Sequence, residues 1–206
     1  RRYLTNIVGK YGAYVQAVLK VAATLPIKVL CPLHGVIWRK NLGYILDKYD
    51  KWSSYTPEDN GVMIVYGSMY GNTEQVALKL ASEIVQRGVT DVTVWDVSNT
   101  HMSYLISEAF RVGHIILACP TYNLGVYPPM KNFLNDMVAL NMQNRTVGII
   151  ENGTWAPTSG AEMKKILDQM FNIFYLDAEV SFMSSPDDTT DKEVAALADA
   201  VVASIE

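Results

Sequence analysis

The chain has 206 residues, enough for one large domain or for one domain and part of another. It is 50% hydrophobic and 18% charged, so it can bury a core without disulfides or metal ions. Its formal net charge of −4 argues against nucleic acid or an anionic membrane surface as a partner, and no apolar run reaches the roughly 18 residues of a membrane span.

Charge divides the chain into two parts. Residues 1–60 hold nine Lys and Arg against four Asp and Glu, a balance of +5, whereas residues 61–206 hold eight against seventeen, a balance of −9. Such a split is typical of two structural units with different partners, and chance variation over a short segment is the alternative. The two cysteines, Cys31 and Cys119, imply no disulfide framework, so we expect a cytoplasmic protein.

Residues 1–60 predict a helix, a strand and a second helix. Apolar residues recur at helical spacing over 4–22, a strand-like run covers Ile27–Cys31, and helical spacing returns over 42–52. The polar stretch 56–61 is rich in turn formers, so we place a domain boundary between residues 60 and 61. Because the chain opens inside a helical pattern and without Met, we expect it to be a piece of a longer protein.

From residue 61 onward, strands and helices alternate. Apolar runs predict five strands, at 62–66, 92–95, 114–119, 146–150 and 178–182. Helical spacing follows each of them, at 76–85, 104–110, 130–140, 163–171 and in a last helix opened by a capping box at 190–193. This alternation indicates an α/β domain with a doubly wound parallel sheet. Ligands of such sheets bind beyond the carboxyl ends of the strands, here in the loops after strands one, three and four.

The first of these loops predicts a phosphate site. It consists of Ser68, Met69, Tyr70, Gly71, Asn72 and Thr73, and a helix follows at once. N–H groups at a helix start have no helical partner, and two hydroxyls and a glycine add donors and close approach. Without Lys or a GxGxxG pattern, the loop is neither a Walker A loop nor a Rossmann loop, and a monophosphate is the natural ligand. The alternative is a polar turn that only caps a helix.

The other two loops add aromatic rings. The second loop comprises Pro120, Thr121, Tyr122, Asn123, Leu124 and Gly125, and the third begins with Asn152, Gly153, Thr154 and Trp155. A flat heteroaromatic ring needs an aromatic wall and donors along its polar edge. Two aromatics and a phosphate loop at one sheet edge therefore predict flavin mononucleotide (FMN), although either aromatic could serve packing alone.

These loops resemble those of a known family. The segment 68–73 is similar to the flavodoxin phosphate motif, and Tyr70 within it is usual in the flavodiiron proteins, also called A-type flavoproteins. The segment 120–123 and the aromatic third loop resemble that family too, although the family usually has a glycine soon after the Trp, and here 156–158 intervene. The resemblance implies a flavodoxin-like sheet of five strands in the order 2-1-3-4-5.

Upstream, residues 31–39 resemble the end of the family's metallo-β-lactamase-like domain. In that family the residue matching His34 is the last ligand of a diiron site, but the other ligands, including an HxExDH motif, are absent here. We therefore expect 1–60 to be the C-terminal remnant of the diiron domain and 61–206 to be the FMN-binding domain. One imidazole cannot hold a metal tightly, so His34 is expected to carry no metal in this chain.

The function implied by the resemblance is electron transfer. The FMN would take electrons from rubredoxin or from a flavin or NADH reductase and pass them to a diiron site that reduces O2 or NO, in a homodimer. The diiron centre would exist only in the longer parent, which would be an oxidoreductase. The sequence supplies no acid, base or nucleophile in a convincing arrangement, so we expect no catalytic side chain and assign the redox chemistry to the flavin.

Two other interpretations share part of this pattern. A stand-alone flavodoxin-type electron carrier or an FMN-dependent quinone reductase would have the three loops but not the segment around His34. A response-regulator receiver has similar topology, but it needs an Asp at the end of strand three and acidic residues after strand one. Here Cys119-Pro120 and Gly67-Ser68 occupy those places, so the receiver interpretation is weak.

Overall fold

The computed structural model describes residues 1–205, and Glu206, the last residue of the predicted second domain, lies outside them. The helices are a π-helix Leu4–Val8, a 3-10 helix Gly9–Tyr11, α1 Gly12–Ala22, α2 Leu42–Ser53, α3 Asn72–Gln86, α4 Met102–Arg111, α5 Pro128–Ala139, α6 Ser159–Leu167 and α7 Asp188–Ile205. The strands are β1 Asp59–Tyr66, β2 Val92–Asp96, β3 Val112–Tyr122, β4 Gly125–Val126, β5 Gln143–Asn152, β6 Phe171–Tyr175 and β7 Val180–Phe182. No helix among these described residues is both long enough and apolar enough to cross a membrane.

The strands form one sheet in the order β2-β1-β3-β5-β6, and β1, β2, β3, β5 and β6 run parallel. The predicted order 2-1-3-4-5 is confirmed, except that two short strands share the fifth position. β6 pairs with the beginning of β5 and β7 pairs with its end. The short β4 forms an antiparallel hairpin with the end of β3.

Strand β6 corrects the predicted helix over 163–171. Helix α6 ends at Leu167, and the chain then runs alongside β5. Ile173 and Tyr175 alternate toward the core, whereas Phe171 and Phe174 are exposed. A segment of five residues shows this alternation too briefly to be separated from the end of the helix before it.

Helices cover both faces of the sheet because successive side chains of a buried strand point to opposite sides. In β1, Val62 and Ile64 belong to the core beneath α3 and α7, whereas Met63 and Val65 belong to the core beneath α4, α5 and α6. All four side chains are fully buried. The uninterrupted apolar run that predicted the strand is thus a consequence of burial on both faces.

The capping box predicted at 190–193 is wrong. It would start the helix at Asp191, whereas helix α7 begins three residues earlier, at Asp188. The carboxylate of Asp187 accepts the N–H groups of Thr189 and Thr190, at 3.0 and 2.9 Å, and the Thr190 hydroxyl accepts the Asp187 N–H at 3.2 Å. Glu193 bonds the Ser181 N–H instead, at 3.0 Å. The reciprocal cap is therefore built from Asp187 and Thr190.

Residues 1–58 differ from the predicted helix, strand and helix in two places. The strand expected over Ile27–Cys31 is reduced to one antiparallel bridge between Leu30 and Trp38, and Cys31 is exposed. The first helix is divided into π, 3-10 and α turns around close contacts at glycines. A Cβ on Gly12 would lie 2.2 Å from the Ser53 carbonyl oxygen, so the backbone there is bound to the end of α2.

A buried arginine joins this N-terminal segment to the sheet. Arg145, 1% exposed, donates to the carbonyl oxygens of Tyr55 at 2.8 Å, Ala109 at 2.9 Å and Phe110 at 3.1 Å. The Tyr55 hydroxyl in turn donates to the Gly9 carbonyl at 2.9 Å. Burial lowers the pKa of Arg145 to about 9, which leaves it protonated at neutral pH. The last-turn carbonyls of α4, at the negative end of its dipole, take the place of a carboxylate partner.

Candidate cofactor site

A cavity of about 160 Å³ opens where the carboxyl ends of β1, β3 and β5 meet. Eleven residues line it: Ser68, Met69, Tyr70, Asn72, Thr73, Pro120, Thr121, Asn152, Gly153, Thr154 and Ser184. Ten of them are among the residues predicted from the sequence. The cavity lies at the sheet edge where doubly wound folds bind ligands, because the strand order reverses next to β1.

The loop after β1 presents free N–H groups to this cavity. Helix α3 begins at Asn72, and its first backbone bond is the Gln75 N–H to the Gly71 carbonyl, at 2.9 Å. The N–H groups of the first turn therefore have no helical partner, and the positive end of the dipole lies there. Gly71 has φ of +90°, a conformation that favours glycine, and its N–H bonds the Ser68 hydroxyl oxygen at 3.1 Å.

A tyrosine fixes the base of this loop. The Tyr66 hydroxyl, at the end of β1, donates to Glu74 Oε1 in the first turn of α3, at 2.9 Å. Burial is the larger cause and this hydrogen bond the second, and together they raise the pKa of Tyr66 to about 12. The phenol therefore stays protonated as a donor through the physiological range, and the strand and the helix are held together on both sides of the loop.

Three hydroxyl oxygens of the cavity accept hydrogen bonds from neighbouring N–H groups. Thr121 Oγ1 accepts the N–H groups of Thr158 and Ser159, at 2.9 and 3.2 Å, and Thr73 Oγ1 accepts Asn152 Nδ2 at 3.4 Å. Ser68 Oγ accepts in the same way from Gly71. A hydroxyl whose oxygen already accepts has its own proton left to donate. The proton of each of these three hydroxyls is therefore available to donate to a ligand in the cavity.

No lining residue of this cavity, within the described 1–205, carries a formal charge. No carboxylate is there to repel an anion, and no Lys or Arg is there to neutralise one. Neutral hydroxyl donors at a helix N-terminus suit a phosphate group, which offers only acceptors when fully ionised. The donor set thus fits the phosphate end of FMN. At about 160 Å³ the cavity is smaller than the ≈ 300–1,000 Å³ of pockets for whole drug-sized ligands.

The predicted second loop is a hairpin rather than a loop. Strand β3 continues to Tyr122, which pairs with Gly125, and the two residues between them, Asn123 and Leu124, have φ of +49° and +59°. Two positive φ values in a two-residue connection define a type I′ turn. Pro120 and Thr121 line the cavity, whereas the hairpin residues, including the half-exposed Tyr122, lie outside its lining.

The third loop is packed closely at Gly153 and is exposed at Trp155. The Gly153 N–H bonds the Phe182 carbonyl at 3.2 Å, and a Cβ on Gly153 would lie 2.8 Å from the Pro157 backbone. Trp155 is 94% exposed and lies outside the cavity lining, as does Gly71. Tyr70 lines the cavity and is 93% exposed. Large apolar faces of this kind remain free to cover a ligand ring.

Ser184 is the lining residue that the sequence reasoning missed. It follows β7 in a turn with φ of +62°, and Asn152 bonds both its N–H and its carbonyl, at 3.0 and 3.1 Å. The signal that could have found it is the Ser184-Ser185-Pro186 turn directly after the fifth predicted strand. That strand also ends at the ligand edge of the sheet.

His34 lies in a different place. It is exposed, its ring stacks on Tyr3 at 3.9 Å between centroids, and it lines an apolar groove of about 600 Å³ within residues 1–52. Residues 1–205 contain no cluster of three or more His, Cys, Asp or Glu side chains able to hold a metal ion. The donor set of the described residues therefore does not fit a diiron centre.

Comparison with known proteins agrees with this fold. The family model described as Flavodoxin matches residues 64–174. The rubredoxin-oxygen oxidoreductase of Megalodesulfovibrio gigas is 31% identical over 163 residues, which make up 77% of this chain and 40% of that protein. The nitric oxide reductase of Moorella thermoacetica is 29% identical over 165 residues, which make up 80% of this chain and 39% of that protein.

The fold comparison extends over the whole chain. The solved structure of rubredoxin oxygen:oxidoreductase from Desulfovibrio gigas matches with a TM-score of 0.88 at 27% identity, covering 100% of this chain and 51% of that one. The flavodiiron protein from Giardia intestinalis shares the fold, with a TM-score of 0.84 at 22% identity, over 99% of this chain and 51% of that one. The chain therefore spans about half or less of the length of these relatives. It belongs to the flavodoxin family, and its likeness to the flavodiiron proteins runs over its whole length.

Proposed function

We propose that the chain binds FMN, with the phosphate in the cavity at the start of α3. The main support for this proposal is the set of hydrogen-bond donors in the cavity. Helix N–H groups and the hydroxyls of Ser68, Thr73 and Thr121 meet there, and no lining side chain is charged. The flavin ring would lie outside this small cavity, against Tyr122 and Trp155. Bound FMN would supply the capacity to accept and release electrons one or two at a time.

In this assignment the side chains bind and orient, and none acts as an acid or base. The loop 68–73 holds the phosphate, the segments 120–125 and 152–155 flank the chain and ring of the cofactor, and the exposed aromatics shield one face from water. The test is a fluorescence titration of FMN with the purified chain. Saturable 1:1 quenching supports the proposal, and unchanged FMN fluorescence at excess protein rejects it.

We further propose that the chain is the FMN-binding part of a flavodiiron oxidoreductase. The names of the relatives support O2 or NO as the final acceptor and rubredoxin as an electron donor. A flavin or NADH reductase is the alternative donor. In this proposal residues 1–60 are the end of a metallo-β-lactamase-like domain whose remaining part would bring the other iron ligands to His34. Iron analysis of the longer protein and its NADH-linked consumption of O2 and NO test this. Absence of iron and of both activities would reject it.

A cytoplasmic homodimer belongs to the same proposal. The opposite charge balances of the two parts of the chain, +5 over 1–60 and −9 over 61–206, support a head-to-tail arrangement in which one subunit's basic part meets its partner's acidic part. A stand-alone flavodoxin carrier or an FMN-dependent quinone reductase is less well supported, because the likeness to flavodiiron proteins includes residues 1–60. Light scattering of the longer protein in low and high salt tests the arrangement.

A further inference from the structure

Asn152 ends strand β5 and is the most buried amide at the candidate site. It is 8% exposed, and its side chain faces the turn after β7 and the first turn of α3. Its orientation is fixed by chemistry: the Ser184 N–H can only donate, so the atom that faces it at 3.0 Å must be Oδ1. The amide nitrogen Nδ2 then faces the Ser184 carbonyl at 3.1 Å and the Thr73 hydroxyl at 3.4 Å.

This orientation uses both N–H groups of the Asn152 side chain, so none remains for a ligand. It also occupies one side of the Thr73 hydroxyl oxygen. Thr73 is 2% exposed, and its oxygen accepts a hydrogen bond from Nδ2, so its own O–H is directed away from that amide. Among residues 1–205 the structure gives that proton no acceptor, and Thr73 lines the cavity.

We propose that Asn152 is a positioning residue for the cofactor phosphate, acting through Thr73 rather than by direct contact. It holds the Thr73 hydroxyl as a donor into the cavity. The inference rests on the proposed binding of FMN. It differs from the sequence prediction, which placed Asn152 in contact with the cofactor.

A purely structural role for Asn152 makes a different prediction. If the amide only stabilised the Ser184 turn, its removal would loosen the whole site and weaken every flavin. If it acts through Thr73 on the phosphate, its removal weakens FMN and leaves riboflavin, which lacks the phosphate, unaffected. The two flavins therefore separate the roles.

The test is a pair of fluorescence titrations, with FMN and with riboflavin, of the full chain and five variants. Asn152→Ala removes the amide, Thr73→Val removes the hydroxyl, and the double variant removes both. Thr73→Ser keeps the hydroxyl and serves as the conservative rescue. Ser185→Ala, an exposed change beside the turn and outside the cavity lining, is the matched control. Far-UV circular dichroism confirms that each variant is folded.

Asn152→Ala and Thr73→Val are each expected to weaken FMN about 10- to 100-fold, the range for one hydrogen bond to a charged group. Riboflavin affinity stays within about threefold, and the double variant is no weaker for FMN than the weaker single variant within about threefold, because both changes remove one interaction. Thr73→Ser recovers most of the FMN affinity that Thr73→Val loses, and Ser185→Ala retains wild-type FMN affinity. If Asn152→Ala does not fold, Asn152→Leu replaces it, since it fills the same space without a charge and loses the donor to Thr73.

Three results would overturn the inference. Equal FMN affinity of Asn152→Ala and wild type would remove the role of the amide while FMN binding itself stands. Equal losses for FMN and riboflavin, or losses that multiply in the double variant, would assign Asn152 a structural role only. A wild-type chain that binds no FMN would reject the proposed function, and the inference with it.

Discussion

Replacing Arg145 with methionine removes a buried guanidinium that bonds carbonyls from separate parts of the fold. Three of its bonds are fully buried and reach Tyr55 in the connection between α2 and β1 and the last turn of α4, at Ala109 and Phe110. Methionine is similar in length and can fill the space, but it offers no donor. The three carbonyls would then remain buried without these bonds.

The magnitude follows from the number of buried bonds. Each buried polar group left unsatisfied costs about 1–3 kcal/mol, which gives roughly 3–9 kcal/mol for three carbonyls. Relief from burying a charge offsets several kcal/mol of this loss. We expect the free energy of unfolding to fall by about 3 kcal/mol, a large part of the 5–15 kcal/mol of a typical domain.

The assay is urea unfolding followed by far-UV circular dichroism. For m-values of about 1–3 kcal/mol per M, the midpoint of Arg145→Met should fall by roughly 1–3 M. Arg145→Lys keeps the charge but loses the planar guanidinium, so its unfolding midpoint should lie between those of wild type and Arg145→Met. The control is Lys131→Met at an exposed position of α5, for which the free energy of unfolding should change by less than about 0.5 kcal/mol. An Arg145→Met chain within about 1 kcal/mol of wild type would refute this account of the buried arginine.

Three further predictions concern individual side chains. Leu124→Gly should raise the free energy of unfolding by about 0.5–1 kcal/mol in urea titrations, because Leu124 is exposed and holds a φ of +59°; a loss of stability would contradict the assigned turn. Iodoacetamide at pH 8 should label exposed Cys31 and spare Cys119, since burial raises the pKa of Cys119 to about 12; labelling of both at similar rates by mass spectrometry would contradict its burial. Trp155→Ala should weaken FMN and riboflavin alike by about tenfold and leave the unfolding midpoint unchanged, whereas unchanged affinity for both would show that the indole does not contact the ring.

The sheet could be predicted from the sequence because its strands are buried on both faces. Continuous apolar runs such as 62–66 are too short for buried helices and fit buried strands, and the helices between them show clear helical spacing. The parts that were missed are short. Strand β6 shows its alternation over too few residues, and the hairpin at 122–125 has Leu124 where a glycine would have signalled a type I′ turn.

Residues 1–60 were predicted less well for a physical reason. A strand needs a neighbour to satisfy its backbone, and within the described residues the run Ile27–Cys31 meets only the bridge at Trp38. At the site, loop position placed ten residues at the cavity, but the sequence could not reveal that Asn152 bonds Thr73 and Ser184. That arrangement joins three segments of the chain, because Thr73 lies 79 residues before Asn152 and Ser184 lies 32 residues after it.

The most direct test of the central claim is the absorption spectrum of the purified chain before and after denaturation. Flavin bands in the native protein, with one FMN released per chain on unfolding and identified by its retained phosphate, are the expected result. A colourless chain that takes up no added FMN would contradict the assignment of the cavity at the start of α3 as a flavin phosphate site.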